Sequence, residues 1–340
     1  MNKKYTDNII QLSHGDGGLK TSKLISGLIL DYIGNETLNK LEDSAVLANI
    51  NSKLAFTTDS FVVNPIFFPG GDIGKLSICG TINDLATTGC IPLALSLSFI
   101  IEEGFKIKDL KKILQSIKKV TDECKISIVT GDTKVVERGS ADKLFINTSG
   151  IGAIGKKISI SPSNIMEGDK IIINGGIAEH GISVINSRNN FNFSSDIISD
   201  CAPLHSLVQD MLKVSKNIHC LRDATRGGIA TVLIELAKIS NYRIDIYENK
   251  IPIKKEVLGI CEFLGMDPLY IANEGKMIAF VRSDEANIVL EAMKKNKYGG
   301  KSCIIGEVSK KGNNILVLNT QLGTKRILDL LYSEQLPRIC

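Results

Sequence analysis

Short runs of β-branched and aromatic residues alternate with helical segments along the whole chain, in two halves of similar size. This alternation confines the fold to layers of sheet and helix. In the first half, residues 53–58, 126–130 and 144–149 read as strands bounded by Gly, Asp or Asn, and residues 170–174 open the second half in the same way. Leu110, Ile113, Leu114 and Ile117 recur at i, i+3, i+4 and i+7 with lysines opposite, which predicts an amphipathic helix covering one face of a sheet. Residues 72–88 carry small side chains throughout and predict a closely packed helix with Asn83 and Asp84 on one turn. In the second half, residues 228–239, 284–295 and 324–331 read as helices, and 243–247, 276–281 and 302–308 as strands. The polar stretch 156–164, interrupted by Pro162, sets the boundary between them. The expected fold is therefore α+β with α/β character: an N-terminal sheet-and-helix domain over 1–157 and a C-terminal α+β domain over 165–332. A mobile tail, 333–340, follows, in which Pro337 stops any helix from continuing.

Charge and composition narrow the partners. The net charge of +4 comes from 41 basic and 37 acidic residues mixed along the chain, without a basic block, which argues against nucleic acid as the main partner. No apolar run follows the first lysines and none approaches bilayer length, so no membrane association and a cytoplasmic location are expected. Eight cysteines stand singly, without zinc-finger spacing. Most of the first seven read as buried thiols. Cys340 differs, because the last residue of the sequence has nothing to pack against.

The common nucleotide signatures are absent. Gly70-Gly71-Asp72-Ile73-Gly74-Lys75-Leu76-Ser77 approaches a phosphate loop but has one residue too few between its glycines, and Leu76 stands where a hydroxyl must reach magnesium. Carboxylates at element ends remain: Asp43, Asp59, Asp84 and Asp132. Any one of them suits a cap or turn; together they suit magnesium, a hard cation that bridges carboxylates to phosphates. Turns at Gly15-Asp16-Gly17-Gly18, Gly70-Gly71, Gly175-Gly176 and Gly227-Gly228 offer backbone N–H groups to phosphate. Lys134 and Glu274 are the candidate proton handlers. Asp223 and Arg226 open a helix, where capping competes with a place beside phosphates. His180 suits either polarising a phosphate or a hydrogen bond within a turn.

These strings are collinear with a known family: His14-Gly15-Asp16-Gly17-Gly18, Pro69-Gly70-Gly71-Asp72-Ile73-Gly74-Lys75-Leu76, Thr81-Ile82-Asn83-Asp84-Leu85-Ala86, residues 130–137 (TGDTKVVE), 222–228 (RDATRGG), 273–276 (NEGK) and the terminal Pro337-Arg338-Ile339-Cys340. The chain resembles the HypE carbamoyl dehydratases of NiFe-hydrogenase maturation, within the aminoimidazole-ribonucleotide-synthetase-like ATP-binding superfamily. The terminal PRIC is the most specific element of the match. The resemblance implies a homodimer formed through the N-terminal sheets, with ATP and magnesium between the two domains of each chain. It implies metal and phosphate binding by Asp43, Asp59, Asp84 and Asp132, and nucleotide contacts by Asn83, Asp223, Gly71, Lys75 and His180. It makes Cys340, Lys134 and Glu274 the catalytic residues. Cys340 would accept a carbamoyl group from a carbamoyltransferase resembling HypF, ATP would drive loss of water to give a thiocyanate, and the nitrile would pass to an iron-carrying complex resembling HypC and HypD. Ten residues from Leu331 to Cys340 span on the order of 30 Å when extended, which suits a thiol that visits two sites. Glu179 departs from the family pattern, which has Asp before the His-Gly pair. A selenophosphate synthetase is disfavoured, because no cysteine precedes Cys79.

Overall fold

The computed structural model describes residues 5–16, 18–41, 44–45, 47, 51–189, 196–332 and 339–340. After two short helices, α1 (Leu19–Leu24) and α2 (Leu30–Ile33), the first half builds β1 (Lys53–Phe61), the small hairpin β2 (Phe67–Phe68) and β3 (Gly71–Asp72), and α3 (Ile73–Thr87). It continues with β4 (Ile91–Glu102), α4 (Ile107–Cys124), β5 (Ser127–Val136) and β6 (Leu144–Ile154). Four of these strands form one sheet in the order β1-β6-β4-β5. β4 and β5 are parallel, so α4 is the crossover that joins them. Its apolar stripe is buried as the periodicity predicts, with Leu110, Ile113, Leu114 and Ile117 all inaccessible.

α3 packs on the same face of the sheet, against β1 and β6. Its small residues explain the closeness: a Cβ on Gly80 would stand 2.8 Å from the Phe61 ring. Asp72 caps the helix, its Oδ1 accepting the Gly74 and Lys75 N–H groups at 2.8 and 3.0 Å.

The second half contains β7 (Lys170–Ile173), α5 (Glu179–Asn189), α6 (His205–Val214), β8 (Ile218–Asp223), α7 (Gly228–Ser240), β9 (Tyr242–Tyr247) and α8 (Lys255–Leu264). It ends with β10 (Met277–Val281), α9 (Ala286–Lys295), β11 (Cys303–Lys311), β12 (Leu316–Asn319) and β13 (Lys325–Leu328). Its seven-stranded sheet runs β13-β12-β9-β11-β7-β10-β8. α7 buries Ile229, Leu233 and Leu236 on one face, while α6 and α9 bury Leu207, Met211, Val289 and Met293 on the other. The N-terminal core does not stop at the boundary: Ile182 and Ile185 of α5, Val257 and Ile260 of α8, and Ile339 belong to it.

Residues 324–331 are the one helix assignment that the fold overturns. Thr320 and Thr324 bond to each other through backbone and side chain, and Gly323 at φ 80° closes a hairpin, so Lys325–Leu328 pairs with β12 as a strand. Lys325, Arg326 and Ile327 are exposed and only Leu328 is buried, as suits a short strand at the sheet edge. The long strand β4 was not anticipated; its Ser96 and Ser98 interrupt an apolar run that fits helix and strand alike.

Candidate active site at the seam between the two halves

Asp59 lies on β1 opposite Thr148 of β6, its side chain on the α3 face. One turn after Gly80, α3 presents Asp84, which accepts a hydrogen bond from Thr57 at 2.7 Å and whose charge acts on Asp59. Asp223 ends β8 in the other half. Burial and the Asp84 charge push Asp59 up to about 6, with exposed Arg226 opposing them. Burial and the Asp84 charge likewise push Asp223 up to about 7. These are carboxylates crowded together with too little positive charge beside them.

Glu274 stands next to this group in the loop before β10. It is buried, and burial followed by the charges of Cys201, Asp200, Asp223 and Asp59 raises its pKa well above the usual carboxylate range. Burial and these neighbours therefore favour the neutral form of Glu274 in the free chain.

The loop around Glu274 is fixed by bonds on every side. The Asp200 side chain is buried; it accepts the N–H groups of Glu274 and Gly275 at 3.3 and 3.1 Å and pairs with Lys276 at 3.2 Å. A Cβ on Gly275 would lie 2.0 Å from the Asp200 carbonyl, so only glycine permits this approach. Asn273 bridges the Ala178 N–H and the Ala224 carbonyl. From α3, Asn83 donates to the carbonyls of Ala202 and Glu274 and accepts the Leu204 N–H. Asn83 was expected at the nucleotide; here its whole amide is spent joining the two halves.

Several expected residues lie elsewhere. Asp132 and Lys134 sit on a strand, not in a turn, and form an exposed pair at 3.1 Å. β5 is the edge opposite β1, so three strand spacings, about 14 Å, separate Asp59 from the row of Asp132. Alternation puts the two on opposite faces: Asp59 aligns with Thr148, Leu97 and Gly131, whereas Asp132 aligns with Ser98 and Asn147. One chain alone does not assemble all the predicted aspartates. Instead, Asp132 and Lys134 border a cavity of about 380 Å³ lined also by Gly15, Asp16, Ile25 and Ile29. Asp43 lies outside the described residues. Near Gly71, the helix N–H groups that would hold phosphate are already taken by Asp72, and Lys75 donates to the Gly70 carbonyl at 2.8 Å.

His180 is fully buried in the first turn of α5. Its Nδ1 meets the Ser199 hydroxyl and its Nε2 meets the Ile339 carbonyl, each at 2.8 Å. The terminal residue, expected to have nothing to pack against, is docked: the Val62 N–H donates to the Cys340 backbone oxygen at 3.2 Å, and Ile339 is only 2% exposed. Residues 333–338 lie outside the described residues. Glu179, where the sequence departs from the family pattern, reaches Lys254 at 2.9 Å. Sequence reasoning missed Asp200, Ser199, Asn273 and Val62; only the lysine of Asn273-Glu274-Gly275-Lys276 hinted that a buried carboxylate waits nearby.

Residues 41–154 match the N-terminal domain of AIR synthase related proteins, and residues 166–319 match the C-terminal domain. The carbamoyl dehydratase HypE of Bradyrhizobium diazoefficiens is 44% identical over 332 residues, 97% of this chain and 96% of its own. The chain belongs to the HypE family of carbamoyl dehydratases. Among solved structures, the hydrogenase maturation protein HypE in complex with ATP superposes with a TM-score of 0.93 at 42% identity, covering 97% of this chain and 99% of that one. A HypE chain from a HypE–HypF complex superposes at 0.80 with 46% identity, covering 91% and 99%. The two-domain HypE fold expected from the sequence is thus the fold observed. No helix among the described residues is long and apolar enough to cross a membrane.

Proposed function

We propose that this chain dehydrates a carbamoyl group carried on Cys340, converting the thiocarbamate to a thiocyanate at the expense of ATP, and so supplies a cyanide ligand for the iron centre of a NiFe-hydrogenase. One observation carries the reading: the chain end that bears the thiol is bonded to His180, His180 to Ser199, and the neighbouring Asp200 to the loop of Glu274. Thiol-bearing end and buried acid thus share one network at the seam.

The chemistry asks for two things. Oxygen must leave the carbamoyl carbon, which transfer of the γ-phosphoryl group to that oxygen accomplishes, with ADP formed and phosphate departing. Nitrogen must lose both protons as the C≡N bond forms. Glu274 and Lys134 are the proposed acceptors, in no assigned order. Burial and acidic neighbours favour the neutral form of Glu274, and positive charge entering among those neighbours would favour its carboxylate, the form that serves as a base. Asp59, Asp84 and Asp223 are the hard-oxygen donors for that charge. Among the described residues no three or more such ligands are arranged to hold a metal by themselves, so magnesium would need one or two of these carboxylates together with phosphate oxygens. Such an ion would neutralise the phosphates during transfer. The solved HypE complex with ATP supports the nucleotide.

A homodimer accounts for the outer face of the N-terminal sheet. Phe56 is 70% exposed and Leu54 53%, with exposed Ile91 and Leu93 at the same end of the sheet. This is an apolar surface of the kind that interfaces cover. A carbamoyltransferase resembling HypF is the proposed donor, in keeping with the solved HypE–HypF complex, and an iron-carrying complex resembling HypC and HypD the proposed acceptor.

The test is phosphate release from ATP with magnesium. Turnover that appears only after Cys340 has been carbamoylated supports the dehydratase, whereas turnover indifferent to the state of Cys340 would reduce the chain to a carrier with an uncoupled ATPase.

A further inference from the structure

Both backbone oxygens at the end of the chain are held by the protein. His180 Nε2 lies 2.8 Å from the Ile339 carbonyl, and the Val62 N–H reaches the Cys340 oxygen at 3.2 Å. Between these bonds the Ile339 side chain fills the N-terminal core. The ring of Phe68 stands edge-on to His180, with centroids 5.3 Å apart at 88°.

The state of His180 follows from its partners. Burial pushes its pKa down, so the ring is neutral and carries a single N–H. A carbonyl only accepts, which puts that hydrogen on Nε2 and leaves Nδ1 to accept from the Ser199 hydroxyl. Ser199 in turn accepts the Cys201 N–H at 3.1 Å. The tautomer that faces the chain end is therefore fixed from behind, by a residue adjacent to the Asp200 that anchors Glu274.

We infer that His180 is a positioning residue for the dehydration step: it seats the terminal dipeptide through the Ile339 carbonyl and plays no part in loading the carbamoyl group. The inference rests on the dehydratase reading and adds how one thiol is brought back to the site after each visit elsewhere. Recognition falls on the backbone one residue before the sulfur, so thiol, thiocarbamate and thiocyanate are all seated by the same bond. One neutral hydrogen bond shifts the ratio of seated to released forms about fivefold to tenfold. That favours the seat and still lets the chain end leave.

Two substitutions in the full-length chain separate this role from simple filling of buried space. His180→Gln keeps an amide N–H near the position of Nε2, whereas His180→Asn reaches only to that of Nδ1. The first readout, independent of the reaction, is the rate of Cys340 alkylation by iodoacetamide in the nucleotide-free protein, followed by mass of the C-terminal peptide. The others are single-turnover carbamoylation by the partner carbamoyltransferase and ATP-dependent loss of water from the carbamoylated chain. His180→Asn is expected to raise alkylation and lower dehydration, each about fivefold to tenfold, with carbamoylation unchanged, while His180→Gln stays within about twofold of wild type on all three. Equal behaviour of the two variants, or a parallel loss of carbamoylation and dehydration, would overturn the inference. Should the wild-type chain lose no water at all, the dehydratase reading falls, and the alkylation comparison still decides whether His180 seats the chain end.

Discussion

Two acids a few residues from one another in space have opposite electrostatics. The Asp200 side chain is buried, yet its pKa lies below the usual carboxylate value because Lys276 and the Glu274 N–H outweigh the cost of burial. Asp59 is half-buried and is pushed up to about 6, by burial and then by the Asp84 charge, with only the exposed Arg226 opposing them. The first region is a finished joint. The second is short of positive charge, and its stability and chemistry depend on what binds. Burial alone does not decide the state of an acid; the number of donors and cations aimed at it does.

Breaking the joint has the largest expected effect. Lys276→Met leaves Asp200 buried without its cation and should destabilise the chain by about 3–5 kcal/mol, lowering the midpoint of thermal unfolding on the order of 10 °C. A shift below the scatter of replicate calorimetric scans would show that the two bonds from Glu274 and Gly275 suffice on their own. Asp84→Asn acts in the other region. It removes a repelling charge, so the free chain should be as stable as wild type or more so, while ATP-dependent dehydration falls on the order of 100-fold. Loss of both stability and activity together would mean that Asp84 belongs to the joint.

The smallest effect sharpens the comparison through pH. The folded-state values of Asp59 and Asp223, about 6 and about 7, lie above the ordinary aspartate value of 3.8. Between those limits the folded chain binds more protons than the unfolded one, so stability falls as pH rises through that window and levels off above it. Magnesium with ATP should reverse the trend, raising the unfolding midpoint more at about pH 8 than at about pH 5. A midpoint gain independent of pH would place the cation away from these carboxylates.

How far the sequence carried this account depended on whether an element's partners were near in the chain. α4 declared itself by periodicity, because one stripe of Leu and Ile meets one sheet face. Residues 324–331 misled, since their strand depends on β12 and on a glycine turn rather than on their own propensity. Glu274 is singled out by its motif, but the rise in its pKa is not legible there: it comes from burial and then from Cys201, Asp200, Asp223 and Asp59, which arrive from separate stretches. Gly71 and Lys75 looked like a phosphate cradle because the sequence shows the glycines and not the Asp72 carboxylate folded back over their N–H groups. Of the four aspartates read as one site, Asp132 is set apart from Asp59 by strand alternation, which assigns the two to opposite faces only once the register is known.

The central claim is that Cys340 carries the group that is dehydrated at the seam. Intact-mass spectrometry of the full-length chain, supplied with carbamoyl phosphate, ATP, magnesium and the carbamoyltransferase, tests it most directly against Cys340→Ala. The account predicts a carbamoyl adduct on the wild-type chain that then loses one water only when ATP is present, and neither event in the variant. An adduct that persists unchanged with ATP, or one that forms equally on Cys340→Ala, would contradict it.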